Sequence, residues 1–359
     1  MRVLVATDAW HPQINGVVRS LEYLAQEAPH LGAEIVFLTP EGYRTVGLPT
    51  YDEIRLALVT PRMIRRRIEE ADPDFVHIAT EGPIGMLVRR ACIAQRRTFT
   101  TSYHTKFPEY LSARAPVPER VSYAWLRSFH NAAGGVMVST ATLERDLEAR
   151  GFRRLMRWSR GVDAELFRPR PDEPIEDIRS LPGPRFLFVG RVSVEKNIEA
   201  FLKLDLPGSK VVVGSGPALD ELRVRYPEVH FLGALEGEAL ARVYAACTVF
   251  CFPSRTDTFG IVLLEAMASG LPVAAYPVTG PMDVLADATE PVGVLDEDLR
   301  SACLRALELS PEAARRFALR YTWRESARQF LENVLEAHNI GPIARRYWLT
   351  RRLRRAQQG

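Results

Sequence analysis

The sequence predicts an α/β protein of two parallel-sheet domains, and three observations carry that prediction. Short apolar runs alternate with stretches of helical period, the alternation starts afresh after about residue 160, and the 359 residues exceed the roughly 100–200 usual for one domain. The first run, VLVATDA at 3–9, is nearly continuous in apolar residues, as a strand covered on both faces should be. VRSLEYLAQEAPHLG (18–32) reads as an amphipathic helix closing at Gly32, EIVFLT (34–39) as a strand and PRMIRRRIEEADPD (61–74) as a helix. FVHIAT (75–80) is the next strand and GMLVRRACIAQRR (85–97) the next helix, while FTTSYHT (99–105) and GGVMVST (134–140) add two more strands.

The Pro- and acid-rich stretch 161–184 then precedes RFLFVGR (185–191), a fresh strand, and EKNIEAFLKL (195–204), a helix. KVVVGSG, EVHFLGA, TVFCFPS and LPVAAYP continue the pattern. The expected divisions are an N-terminal domain over 1–159, a second over 160–320, and a segment 321–359. That segment holds a helix (323–338) able to pack back on the first domain, and a tail with six arginines and no acid. Parallel strands joined by helices place binding groups at the carboxyl ends of the strands.

Composition narrows the function classes. No apolar run approaches the roughly 20 residues of a membrane-spanning helix, and MRVLVATDAW enters a strand with no leader pattern, so a cytoplasmic protein is expected. Cys92, Cys247, Cys251 and Cys303 lack metal-ligand spacing and read as reduced, buried thiols. The net charge of +3 is modest, and nearly every cation is arginine: Lys106, Lys196, Lys203 and Lys210 are the four lysines, which makes each one's position informative.

Four segments carry the chemistry. In PSRTDTFGIVLLEAMASGLPVAA (253–275), Asp257 and Glu265 have seven residues between them, among these Phe259-Gly260, which open a helix at Ile261. Amides at such a start suit an anionic or hydroxyl-rich ligand, and a carboxylate one turn inside accepts two hydrogen bonds from a vicinal diol. The plain alternative is a capped helix bearing one solvated glutamate. In VGRVSVEKNIEAF (189–201) a strand ends in Gly190-Arg191, with Lys196 at the next helix start; two cations there clamp a diphosphate and neutralise a departing phosphate. TDAWHPQINGVVRSL (7–21) puts Asn15-Gly16 ahead of a helix, and glycine lets amides approach a phosphate closely. His104 ends a strand in TTSYHTKFPEY, and His11, Lys106 and Glu109 are secondary candidates. The D-x-D stretches at Asp72-Pro73-Asp74 and Asp296-Glu297-Asp298 read as structural, so no metal site is expected.

The D-x7-E segment and G-R-x4-K-N together resemble the signatures of family 4 retaining glycosyltransferases. The resemblance runs from the first strand to Trp323 and implies the GT-B fold, two facing Rossmann-like domains with an interdomain cleft. It implies catalytic roles for His104, Arg191, Lys196 and Asp257, with His104 and Asp257 on the sugar and the two cations on the diphosphate. It implies donor contacts from Gly16, Gly190, Gly214 of VVVGSGP, Leu235 beside Ala234, Phe259, Gly260, Ile261 and Glu265, the last on the ribose. The family's first acid is glutamate and here it is Asp257, shorter by one methylene.

The implied reaction moves a hexose from a GDP- or UDP-linked donor to a hydroxyl, retaining configuration by front-face displacement, with no metal and no further cofactor. WHPQINGVVR, IATEGPIG and TSYHTKFPEY resemble bacterial mannosyltransferases and diacylglycerol glycosyltransferases, which points to a lipid or a glycan acceptor. Arg65-Arg66-Arg67 with Met63, Ile64 and Ile68, and the tail with Tyr347, Trp348 and Leu353, match either an anionic membrane surface or a solvated face. The rivals are a nucleotide-sugar epimerase of the same plan, which needs acid/base carboxylates around the sugar, and a nucleic-acid module. The second is disfavoured because no aromatics interleave with the basic residues on one strand face.

Overall fold

The structure is a computed structural model. It describes residues 1–12, 15–48, 51–104, 108, 118–171 and 176–339, so Lys106, Glu109 and the arginine-rich tail lie outside the described residues.

The chain divides into two compact units, residues 1–160 with the helix Trp323–Ala337, and residues 161–322. In the first unit six parallel strands lie in the order β2-β1-β5-β6-β7-β8. They are β1 (Arg2–Ala6), β2 (Glu34–Leu38), β5 (Phe75–Ile78), β6 (Thr100–Tyr103), β7 (Gly135–Val138) and β8 (Leu155–Arg157). Between β2 and β5 an antiparallel hairpin of β3 (Thr45–Leu48) and β4 (Tyr51–Ala57) forms a separate ribbon, which the apolar-run reading missed. Alternate residues bury opposite faces, as a parallel sheet requires. Val3, Val5 and Phe75 pack with Phe330, Leu331 and Val334 of the helix Trp323–Ala337, whereas Leu4, Ala6, Val76 and Ile78 pack with Ile64, Ile68, Ile84 and Val88.

That packing corrects one expectation. Ile64 and Ile68, expected among the apolar anchors beside the arginines, are 0% and 3% exposed and belong to the core, while Arg66 and Arg67 pair with Glu70 on the same helix. The helix Pro61–Ala71 therefore spends its apolar stripe on the protein. Among the described residues no helix is long and apolar enough to cross a membrane.

The second unit holds β9 (Arg185–Val189), β10 (Ser209–Val213), β11 (His230–Phe231), β12 (Val249–Phe252), β13 (Val273–Ala275) and β14 (Gly293–Leu295). All are parallel in the order β11-β10-β9-β12-β13-β14. One face is covered by the helices Gly237–Ala246, Ile261–Ala268 and Pro311–Ala318, the other by Ile198–Leu202 and Leu299–Ala306.

Two predicted helices differ in detail, each for a local reason. The first runs as α-helix over Gly16–Glu27 and tightens to a 3₁₀ turn over Ala28–Leu31, where Pro29 lacks the amide that would continue it, before Gly32 closes it at φ +75°. The helix expected over 195–204 is broken: Val194–Lys196 is a 3₁₀ turn, Asn197 takes φ +52°, and α-helix begins at Ile198. Asparagine tolerates that left-handed geometry better than most residues.

Candidate active site

In the second unit the winding reverses between β9 and β12, the point where open α/β sheets bind ligands. The two strands pair only through Val249–Phe186 and Phe250–Leu187, so their last residues run beyond the ladder. Both signature segments leave the sheet there. Gly190-Arg191 follows β9 and Pro253–Asp257 follows β12.

Three ties join these loops. Asn197 Nδ2 donates to the Pro253 carbonyl at 3.0 Å, Thr256 Oγ1 donates to the Glu195 carbonyl at 3.3 Å, and Lys196 Nζ meets Asp257 Oδ1 at 2.5 Å. The break at Asn197 thus serves a purpose, since it turns that side chain and Lys196 onto the β12 loop. Asp257 Oδ2 and the hydroxyls of Ser193 and Ser254 are buried in the same loops and have no hydrogen-bond partner among the described residues. Polar groups left so are uncommon in native structures and mark places with another use. Arg191 is half-buried; burial lowers its pKa, Glu195 opposes the shift, and it remains a cation.

The glycines form the floor. Gly190 N donates to Val213 O at 3.0 Å and Val192 N to Ser215 O at 2.9 Å, which brings the turns after β9 and β10 backbone to backbone. Leu235 is half-buried in the loop after β11, against the core. Gly260 caps the helix Ile261–Ala268 at φ +82°, and Ile261 opens it, half-buried.

Burial bears on two further residues here. The Phe259 ring is 7% exposed and packs in the core, so only its main chain is left for a ligand. Glu265, whose plain reading was a solvated side chain, is 3% exposed and accepts a hydrogen bond from Tyr244 Oη at 3.0 Å. The helix carrying it is apolar on nearly every side, with Leu263, Leu264, Ala266, Met267 and Ala268 all buried.

In the first unit the winding reverses between β1 and β5. Asp8, after β1, accepts from Ile84 N (2.8 Å), Gly85 N (3.2 Å) and Thr80 Oγ1 (3.1 Å), and so caps the helix Pro83–Ala94. Burial raises its pKa against those hydrogen bonds. Sequence reasoning missed Asp8, although an acid directly after the first strand was the available signal. Gly16 opens its helix, but the amides of Val17 and Val18 bond to Asn15 Oδ1 at 2.9 and 3.0 Å. Those two donors are spent on an N-cap. His11 is exposed and pairs with Glu22. Three acids of the two D-x-D stretches have protein partners: Asp74 accepts from Arg2 N, Asp296 meets Arg305, and Asp298 caps the helix Leu299–Ala306.

His104 sits one residue past β6, and Nη2 of Arg160 lies 3.1 Å from its Nδ1. Burial first, then the Arg160 charge, hold its pKa well below 6.5. Beneath it His77, fully buried, bonds Thr100 Oγ1 and Ser102 Oγ at 2.9 Å each, and His130 bonds Thr101 Oγ1 and Glu81.

His77 is brought to about 3 by burial, with the charges of Arg160 and His130 adding to it. Its folded pKa lies below the unfolded one, so between pH 6.5 and about 3 the unfolded chain binds the extra proton and stability falls as the solution is acidified. The expected slope is about 1.4 kcal/mol per pH unit for this one group. Urea midpoints of wild type and His77→Gln across that window check it: the variant should show the shallower loss, and equal slopes would contradict the assignment.

Two doubly wound Rossmann-like units define the fold class as that of the GT-B transferases. Comparison agrees. Residues 183–308 match the family model "Glycosyl transferases group 1" and residues 14–166 match "Glycosyltransferase Family 4". A GDP-mannose-dependent alpha-mannosyltransferase of Mycobacterium tuberculosis (strain CDC 1551 / Oshkosh) is 30% identical over 90% of this chain and 93% of its own. The alpha-monoglucosyldiacylglycerol synthase of Streptococcus pneumoniae (strain ATCC BAA-255 / R6) is 26% identical over 94% and 85%. The structure of Anabaena Alr3699/HepE in complex with UDP-glucose matches with a TM-score of 0.70 at 16% identity, covering 94% of this chain and 100% of that one. The chain belongs to glycosyltransferase family 4 and transfers a sugar from a nucleotide-sugar donor.

Proposed function

We propose that the chain is a retaining, metal-independent mannosyltransferase that moves mannose from GDP-mannose to a hydroxyl of a membrane lipid. The observation that carries the reading is the Lys196–Asp257 pair at the β9/β12 switch point, which joins the two signature segments in one place. As the bond between the anomeric carbon and the diphosphate oxygen breaks, Arg191 and Lys196 take up the growing negative charge, the work a divalent ion does in other transferases. The acceptor oxygen bonds the anomeric carbon on the face the diphosphate leaves, and its proton passes to the departing phosphate oxygen. Asp257 and His104 orient the sugar hydroxyls, and Glu265 receives the ribose once Tyr244 yields it.

GDP-mannose is preferred because the mycobacterial relative's name states that donor, and a lipid because the pneumococcal relative's name states a glycosylated diacylglycerol. Thermal shift with GDP, UDP, ADP and their sugars tests the donor. At a hundredfold excess over Kd the selected nucleotide should add about 2.7 kcal/mol of stability to the protein. Transfer from labelled GDP-mannose to diacylglycerol vesicles in EDTA, with the product's anomer read by NMR, tests the rest. Stabilisation by UDP alone, an inverted product or a metal requirement would each remove the corresponding part.

A further inference from the structure

The first unit surrounds His104 with an arrangement that the transfer chemistry above does not use. Arg160, two residues beyond Trp158, is 6% exposed. Its guanidinium carbon lies 4.3 Å from the centre of the Trp158 ring, and Nη1 donates to the carbonyls of Trp158 (2.8 Å) and Ser159 (3.1 Å). Nη2 meets His104 Nδ1 at 3.1 Å. A guanidinium has only donors, so the imidazole nitrogen facing it must be the acceptor. The ring proton of a neutral His104 then belongs on Nε2.

We propose that Arg160 is a positioning residue that fixes His104 as the neutral tautomer protonated at Nε2, so that the histidine presents an N–H donor to its substrate hydroxyl. The proposal rests on the reading that His104 serves the sugar. Arg160 acts through His104 and touches no reacting atom.

A purely structural role explains the arrangement poorly. Burial alone pushes the Arg160 guanidinium down to about 9. Two backbone carbonyls and an aromatic face need no cation to satisfy them, whereas a charged donor against Nδ1 both selects a tautomer and resists protonation of the ring. Among the described residues two further groups act in the same direction: His77 from β5 and His130 from the helix Glu119–His130 also lower its proton affinity, and Trp158 meets the ring edge-on at 5.7 Å.

The arginine is held from behind by the chain's last described helix. Trp158 Nε1 donates to both the carbonyl and Oγ of Ser326 at 3.1 Å, Ser326 Oγ donates to Ser159 O at 2.8 Å, and Gln329 Oε1 accepts from Ser159 N (3.0 Å) and Oγ (2.9 Å). The helix Trp323–Ala337 therefore sets the loop that supplies the guanidinium.

The experiment uses the full chain labelled with ¹⁵N-histidine, with imidazole tautomers read by proton–nitrogen correlation from about pH 5 to 8, the range in which an ordinary histidine titrates. His104→Gln identifies the signals. Wild type should show His104 neutral and Nε2-protonated throughout, and an Nδ1-protonated or titrating ring would overturn the proposal without need of any variant. In Arg160→Met the ring should populate both tautomers and bind a proton at higher pH. Turnover should fall about tenfold to a hundredfold, the worth of one hydrogen bond made in the transition state, with a new loss on the acid side and the donor KM changed less than about threefold. Arg160→Gln, whose amide also donates, should recover the tautomer and most of the turnover. Arg160→Met with wild-type tautomer and pH profile would overturn the assignment. Normal transfer by His104→Gln would instead remove the catalytic reading of the histidine while the spectra still decide the tautomer question.

Discussion

Lys196→Ala is expected to lower turnover by about 10²–10³-fold, the usual worth of one preorganised group on developing charge, while leaving the fold in place. The lysine's side chain is 24% exposed and its partner's 17%, so the pair sits where water still screens it. A partly solvated ion pair contributes on the order of 1 kcal/mol or less to stability, and the melting temperature should move by only a few degrees. The catalytic loss is larger because the lysine's charge acts on a leaving group whose negative charge grows only as the bond breaks. Lys196→Arg should not restore the rate, since a planar fork does not replace a compact point charge held between two loops. Asp257→Asn separates the roles: it keeps the shape, releases Lys196, and should act on sugar orientation more than on diphosphate departure. Steady-state and single-turnover rates on the three variants decide the matter, and Lys196→Ala within about threefold of wild type would remove the cation clamp from the mechanism.

Much of this site was legible because its residues lie in short contiguous segments. A strand ending in Gly190-Arg191, and a helix opening at Phe259-Gly260 after Asp257, are local patterns, and local patterns survive in one dimension. The β-runs were equally plain, because strands covered on both faces are apolar throughout. What was hidden depends on pairing between distant segments. Nothing in EKNIEAFLKL announces that Asn197 turns left-handed to reach Pro253, because that gain is made 56 residues away. Strand order belongs to the same class. Arg160 was invisible for a different reason. In a chain whose cations are nearly all arginine, one more carries no signal until its neighbours are known. The hairpin of β3 and β4 escaped because Gly47 interrupts the alternation and the ladder shifts register at Gly47/Leu48.

Gly214→Ala should be a strongly damaging conservative change in the second unit. A Cβ at Gly214 would stand 1.8 Å from the carbonyl oxygen of Gly190 and 2.9 Å from its carbon, on a backbone at φ +144°. Both atoms it meets are main chain, so no side chain can swing aside. Either the unit loses on the order of 2–4 kcal/mol, the range of overpacking combined with a strained backbone, or the turn at Gly190 moves away by more than 1 Å to restore an ordinary contact. That second outcome carries Arg191 with it, and a displacement of about 1 Å at a catalytic group costs on the order of a hundredfold in rate. Activity is lost on both routes, and the urea midpoint tells which route is taken. Gly233→Ala is the control, since φ there is also positive at +74° but a Cβ meets nothing within 4 Å. It should cost on the order of 1 kcal/mol from backbone conformation alone and leave turnover near wild type. The difference between the two alanines isolates the clash from the dihedral. If Gly214→Ala were as stable and as active as Gly233→Ala, the tight contact between the turns after β9 and β10 could not be what holds Arg191 at the switch point.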